Sequence, residues 1–86
     1  MSETPENRLR RLRMRSWRRG IKEMDLILGS FADRQLADLS DTEIILYDAL
    51  LSENDQELYA WVTGQETPPD RFAHMVSLIA HHANAL

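Results

Sequence analysis

Two oppositely charged side chains flank a glycine in the segment WRRGIKEMD, residues 17–25. The Arg19 guanidinium and the Glu23 carboxylate can each make charged hydrogen bonds to a partner, whereas a glycine inside a helix costs about 1 kcal/mol relative to alanine. On one continuous helix these two residues would pair in the less favourable order. If a helix instead begins near Gly20, Glu23 lies in its first turn, where a carboxylate is favoured. The pattern indicates a recognition surface at which the bare backbone of Gly20 admits another protein; the alternative is a solvated ion pair.

The other reactive side chains form no catalytic or metal-binding pattern. His74 and His81 are two helical turns apart and His81 and His82 point in different directions, whereas ligands on one helix need a spacing of three or four. The sequence has no cysteine, no GxSxG and no glycine-rich phosphate loop. We therefore expect a protein that is not an enzyme, with no catalytic residue and no metal site. The histidines are expected to be solvated or partly packed.

An arginine-rich arm precedes this segment. Residues 1–19 hold seven arginines and two glutamates, a net charge of +5, and residues 20–86 hold three basic and twelve acidic side chains, a net charge of −9. The arm could neutralise several phosphates, but the acidic body would repel a polyanion, and no recognition helix follows a tight turn. We expect no nucleic-acid partner. Nucleic-acid binding or an antitoxin-like regulatory role through the N-terminal helix is the alternative function.

The apolar spacing predicts helices along most of the chain. They cover residues 6–18, 20–36 and 41–52, a short segment from Asn54 to Gly64, and a final segment after Asp70. Gly29 marks a bend or a close crossing in the second helix. Ser40 and Glu43 have the spacing of a capping box before the third.

The predicted fold is all-α: one domain, residues 1–86, that forms a compact antiparallel bundle of about five helices. Residues 1–5 are expected to be flexible and the last few residues frayed. Tyr47, Tyr59 and Trp61 are expected to pack in the core or in an interface. No apolar run approaches the roughly 20 residues that span a bilayer, and Glu3 and Glu6 argue against a transit peptide. The absence of cysteine permits a reducing compartment such as the cytoplasm. We expect a cytoplasmic monomer.

Two segments resemble one protein family. RSWRRGIKEMDLILGSFAD, residues 15–33, resembles the RGxxE segment of the small FAD assembly factors called SdhE in bacteria and succinate dehydrogenase assembly factor 2 in mitochondria. LSDTEIILYDALLSENDQELYAWVTGQETPP, residues 39–69, resembles the following stretch of that family, in which an acidic break separates a Leu-Leu helix from a short helix bearing an aromatic residue and a tryptophan. The sequence departs from many members in its arginine-dense arm.

The resemblance implies a five-helix protein that binds the flavoprotein subunit of succinate dehydrogenase, and in some bacteria of fumarate reductase. It implies that the protein promotes covalent attachment of FAD to a histidine of that subunit without performing the chemistry or stably binding a cofactor. The implied location is the cytoplasm in bacteria and the mitochondrial matrix for eukaryotic relatives. The family's arginine, glycine and glutamate fall on Arg19, Gly20 and Glu23, and both charges are expected to face outward. The expected partner-binding residues are Arg15, Arg18, Arg19, Gly20, Glu23 and Asp25.

Overall fold

Five α-helices and two short 3-10 turns account for most of residues 3–85, the part of the chain that the computed structural model describes. The helices are α1 (Pro5–Trp17), α2 (Lys22–Gln35), α3 (Asp41–Leu50), α4 (Asp55–Val62) and α5 (Ala73–Asn84), and the 3-10 turns are Leu36–Asp38 and Asp70–Phe72. No β-strand occurs within residues 3–85, and the predicted all-α fold is confirmed. Over the same residues, no helix combines the length and the apolar character that crossing a bilayer requires.

Side-chain caps fix where α1, α3 and α4 begin. Thr4 accepts a hydrogen bond from the N–H of Asn7 at 3.2 Å, and Pro5 then begins α1. Of the residues expected to be flexible or frayed, residues 1, 2 and 86 lie outside the described range. The predicted capping box is confirmed: the Glu43 N–H donates to Ser40 Oγ at 3.2 Å, and the Ser40 N–H donates to Glu43 Oε1 at 2.9 Å. Such a cap stabilises a helix by about 1 kcal/mol.

Gly64 ends α4, as predicted. Its φ of +81° lies in the left-handed region, and the turn closes with two hydrogen bonds. The N–H of Gln65 donates to the carbonyl of Ala60 at 2.8 Å, and the N–H of Gly64 donates to the carbonyl of Trp61 at 3.2 Å. This is the Schellman arrangement, which satisfies carbonyls that the helix end leaves without partners.

The core lies where the helices meet, and Tyr47 of α3 is fully buried within it. Its hydroxyl lies 2.7 Å from Ser16 Oγ on α1 and donates to the carbonyl of Leu28 on α2 at 3.4 Å. Burial raises the pKa of Tyr47 to about 12. One hydroxyl therefore links three helices. The other large side chains that are almost completely buried are Leu12, Met24, Leu28, Phe31, Leu36, Leu50, Leu51, Leu58, Phe72, Met75 and Ile79.

Helices α1 and α2 approach closely at Gly29. A Cβ atom at this position would overlap the indole ring of Trp17, and the Trp17 Nε1–H donates to Asp33 Oδ2 at 3.2 Å. The predicted close crossing is thus confirmed. Because α1 packs against α2 through this contact, the link between them, residues 18–21, is held at both of its ends.

Candidate functional site

The α1–α2 link depends on the backbone conformation of Gly20. Its φ is +89°, a conformation that residues with a Cβ rarely adopt. A Cβ built on Gly20 would meet no atom within 4 Å, so the surface around it is open. Helix α2 begins at Lys22, so the helix start that the sequence places near Gly20 is confirmed, and the backbone conformation rather than a neighbouring side chain requires glycine at this position.

Arg19 points into the molecule, and the expectation that its charge faces outward is wrong. Its side chain is only 10% exposed. Nε donates to Asp55 Oδ1 at 2.7 Å, Nη1 to the carbonyl of Leu51 at 2.6 Å, and Nη2 to the carbonyl of Glu53 at 3.1 Å. The physical reason is that the carbonyls at a helix end lack intrahelical partners. The C-cap of α3 offers one such carbonyl, at Leu51, and the following turn offers the carbonyl of Glu53 beside the carboxylate that begins α4. The guanidinium fork satisfies all three acceptors at once.

Asp25 holds the same link from the other side. Its Oδ1 accepts the backbone N–H of Arg19 at 2.6 Å, and the residue is partly buried in the first turn of α2. The link is therefore fixed at its backbone by Asp25 and at its side chain by the α3–α4 junction. Asp25 and Arg19 therefore both stabilise the conformation of the link.

Glu23 is exposed in the first turn of α2. It lies on the rim of a cleft of about 320 Å³ between the link and α4, whose other lining residues are Ile21, Asp55, Gln56 and Tyr59. Tyr59 is 37% exposed, so its ring is a surface group, whereas Trp61 is buried in the core as predicted. We call Gly20, Ile21, Glu23, Gln56 and Tyr59 the Gly20 surface.

Arg15 of α1 and Arg18, which follows α1, differ in their partners. Arg15 Nη1 lies 2.8 Å from Asp48 Oδ1 on α3, and its Nη2 donates to Ser52 Oγ at 3.4 Å. Arg18 is exposed at the start of the link. Of the six residues expected to bind a partner, the structure exposes Arg18, Gly20 and Glu23, and it engages the other three within the fold.

Sequence reasoning missed Asp55, Gln56 and Tyr59 as neighbours of the link. Asp55 is 36 positions from Arg19, and the short-range spacing rules for helices and turns do not reach that far. An acidic residue is expected in the first turn of a helix such as α4, so nothing in the sequence indicated that Asp55 also pairs with Arg19.

The histidines lie apart from the Gly20 surface. His82 is buried, with Nε2 2.9 Å from Ser30 Oγ and its ring edge-on to Phe31. His74 Nε2 lies 3.0 Å from Glu43 Oε2. The hydrogen bond from the Ser40 backbone, and after it this contact with His74, lower the pKa of Glu43. Within residues 3–85, no three His, Asp or Glu side chains are grouped to hold a metal ion.

Comparison with known sequences shows the family to which the chain belongs. Residues 10–83 match the family Sdh5, described as flavinator of succinate dehydrogenase. The chain is 35% identical to the mitochondrial succinate dehydrogenase assembly factor 2 of Mycosarcoma maydis over 96% of its own length, and 45% identical to that of Meyerozyma guilliermondii over 81%. It is 39% identical to the FAD assembly factor SdhE of Legionella pneumophila over 72% of its length. The chain spans 38% and 54% of the two fungal relatives and 78% of the bacterial one.

Proposed function

Because the chain belongs to the family described as flavinator of succinate dehydrogenase, we propose that it is an assembly factor for a flavoprotein. It binds the flavoprotein subunit of succinate dehydrogenase and promotes the covalent attachment of FAD to that subunit. The names of its relatives, succinate dehydrogenase assembly factor 2 and FAD assembly factor, support this role. In this proposal the partner's own residues carry out the chemistry, and this chain binds the partner and holds it in a competent conformation.

The observation that carries the proposal is the conformation of the α1–α2 link. Gly20 exposes bare backbone in a left-handed conformation, with open space where a side chain would be. Because glycine has no side chain, a partner can approach this backbone more closely than it could if another residue stood here. Asp25 and Arg19 hold the link before the partner arrives, so little conformational entropy is lost when it binds.

Glu23 supplies the charge of the docking surface. It is exposed beside the cleft of about 320 Å³ that Tyr59 also lines. A carboxylate that a partner covers makes shorter and stronger hydrogen bonds than it does in water, and an exposed tyrosine ring offers apolar area at a low entropic cost. Glu23 and Tyr59 are therefore the direct contacts in this proposal.

In this proposal Arg19 and Asp25 do not touch the partner; they hold the link that presents Gly20 and Glu23. The guanidinium of Arg19 joins the link to the α3–α4 junction. Removing one member of such a nearly buried ion pair costs about 3–5 kcal/mol, a large part of the stability of a small domain. A substitution at Arg19 would reduce activity by loosening the surface that presents Gly20 and Glu23.

Affinity capture from the protein's own cells tests the proposal. Wild-type protein should retain the flavoprotein subunit of succinate dehydrogenase, and Glu23→Ala should retain much less of it, because the substitution removes a docking carboxylate from an exposed position. The matched control is Glu57→Ala, another exposed glutamate in the first turn of a helix, which lines a different cleft beside Trp61 and Pro68. Equal capture by Glu23→Ala and wild type would contradict the role of this surface, and failure of the wild type to capture the subunit would contradict the proposed function.

A further inference from the structure

The outer face of α1 carries a groove that the Gly20 surface does not include. Its lining side chains recur at spacings of three and one, so they follow one side of the helix for about three turns, or roughly 17 Å. The groove has a volume of about 480 Å³. We call it the α1 groove, and it is lined by Asn7, Arg10, Arg11, Met14, Arg15 and Arg18.

Two of the four arginines in the α1 groove are neutralised by the protein itself. Arg11 Nη2 lies 2.9 Å from Asp48 Oδ2, and Arg15 Nη1 lies 2.8 Å from Asp48 Oδ1. Arg11 also pairs with Glu3, with Nε 2.8 Å from Oε2. These ion pairs hold one wall of the groove against α3.

Arg10 and Arg18 form the other charged positions, and both are exposed. Neither makes an ion pair with any residue in the range 3–85. They are eight positions apart, about 12 Å along the helix. Met14 lies midway between them and is 47% exposed.

This arrangement fits a short acidic helix. Two arginines without ion pairs, at positions about 12 Å apart along α1, match carboxylates seven or eight positions apart on a facing helix, and the exposed thioether between them matches an apolar side chain. A longer polyanion fits less well, because residues 20–86 carry a net charge of −9 and would repel the parts of it that extend beyond the groove. A membrane surface would find only one large apolar side chain on the groove, too little for insertion.

The α1 groove is also continuous with the docking surface. Arg18 begins the link that also carries Gly20, and Arg19 between them fixes this link to the α3–α4 junction. A partner seated on Gly20 therefore lies next to the C-terminal end of the groove.

We propose that the α1 groove binds an acidic helical segment of the flavoprotein partner, whose carboxylates pair with Arg10 and Arg18 and whose apolar side chain covers Met14. This inference rests on the proposed function. It adds a second contact region and specifies the chemistry of the segment that occupies it.

Binding of the purified flavoprotein subunit, measured at several salt concentrations, tests the inference. The variant Arg10→Glu/Arg18→Glu should bind at least about tenfold more weakly at low salt, because two favourable charge pairs become repulsive. Its binding should also depend less steeply on salt than that of the wild type. The control Arg34→Glu/Arg71→Glu changes the net charge by the same amount at two exposed arginines of α2 and the second 3-10 turn, and it should bind like the wild type.

A photo-crosslinking residue at position 14, Met14→p-benzoylphenylalanine, identifies the occupant. The crosslinked partner peptide should be helical and should carry carboxylates on both sides of the linked residue. A neutral or basic peptide would overturn the inference, as would equal affinities of the two charge-reversal variants. Tighter binding of a random DNA duplex or of phosphatidylglycerol vesicles than of the flavoprotein would also overturn it. If the wild type does not bind the flavoprotein at all, the proposed function fails together with this inference. If the wild type binds it and Arg10→Glu/Arg18→Glu binds equally well, this inference fails alone.

Discussion

Arg19 and Asp55 form an ion pair that joins two parts of the chain 36 positions apart, with Nε 2.7 Å from Oδ1. Their side chains are only 10% and 15% exposed. The same guanidinium also satisfies the carbonyls of Leu51 and Glu53. The short link that carries Gly20 is therefore attached to the α3–α4 junction, and the geometry of the Gly20 surface depends on a contact outside it.

Asp55→Asn should destabilise the protein. The substitution keeps the shape of the side chain but removes the charge that compensates Arg19, so we expect the free energy of unfolding to fall by about 3 kcal/mol. Urea denaturation followed by circular dichroism measures this change. The control is Asp48→Asn, whose carboxylate is 33% exposed and pairs with Arg11 and Arg15. Because solvent screens that site, its loss should be about 1 kcal/mol or less, and equal losses for the two variants would contradict the structural role of Arg19.

Two substitutions at Gly20 separate backbone strain from steric blocking. Both Gly20→Ala and Gly20→Arg add a Cβ to a residue whose φ is +89°. No atom lies within 4 Å of this Cβ. We expect both to lower the free energy of unfolding by a similar amount, about 1–2 kcal/mol, because the strain comes from the backbone alone. Only Gly20→Arg should abolish binding of the flavoprotein, since the long side chain occupies the approach to the link. Denaturation curves and binding isotherms on the same samples provide the comparison, and full binding by Gly20→Arg would show that Gly20 is not a point of close approach.

Tyr47 should make stability depend on alkaline pH. Burial raises its pKa in the folded protein to about 12, above the ordinary value of 10.0. Because the folded state favours the neutral phenol, this stabilisation is complete below pH 10 and is lost as the pH rises from 10 to about 12. A difference of about two pKa units corresponds to roughly 3 kcal/mol.

Urea denaturation across this pH range tests the prediction, with Tyr47→Phe as the comparison. The variant should be less stable than the wild type near neutral pH, because it loses the hydrogen bond to Ser16, but its stability should fall much less above pH 10. The only other lysine or tyrosine side chains in the chain are Lys22 and Tyr59, and both are exposed. An equal fall in both proteins would rule out Tyr47 as the source.

The sequence predicted the features of this fold that depend on residues a few positions apart. The capping box of Ser40 and Glu43 and the helix end at Gly64 are local arrangements, and both could be read from spacing. The helix start near Gly20 was visible for the same reason, because Glu23, which favours a first turn, lies only three positions further on. Helix boundaries differed by one or two residues at most ends, since the terminal turns depend on caps and on tertiary contacts.

The direction of Arg19 could not be predicted in the same way. Its acceptors are 32 to 36 positions away, and they meet the guanidinium only because the α1–α2 link packs on the α3–α4 junction. The family resemblance led to the expectation that Arg19 and Glu23 both face outward as contacts of one surface. The fold turns Arg19 into the molecule and leaves Glu23 exposed. The same packing places Tyr59 of α4 on the cleft that Glu23 lines.

Covalent flavin on the flavoprotein subunit of succinate dehydrogenase is the most direct measure of the proposed function. The subunit is isolated and denatured from cells that produce the wild-type protein, Glu23→Ala, Glu57→Ala or none of this protein, and its flavin fluorescence is compared at equal amounts of subunit. We predict strong fluorescence with the wild type and Glu57→Ala, and weak fluorescence with Glu23→Ala and in cells that lack the protein. Full fluorescence in cells that lack the protein would contradict the role in flavin attachment, and full fluorescence with Glu23→Ala would contradict the Gly20 surface as the site that performs it.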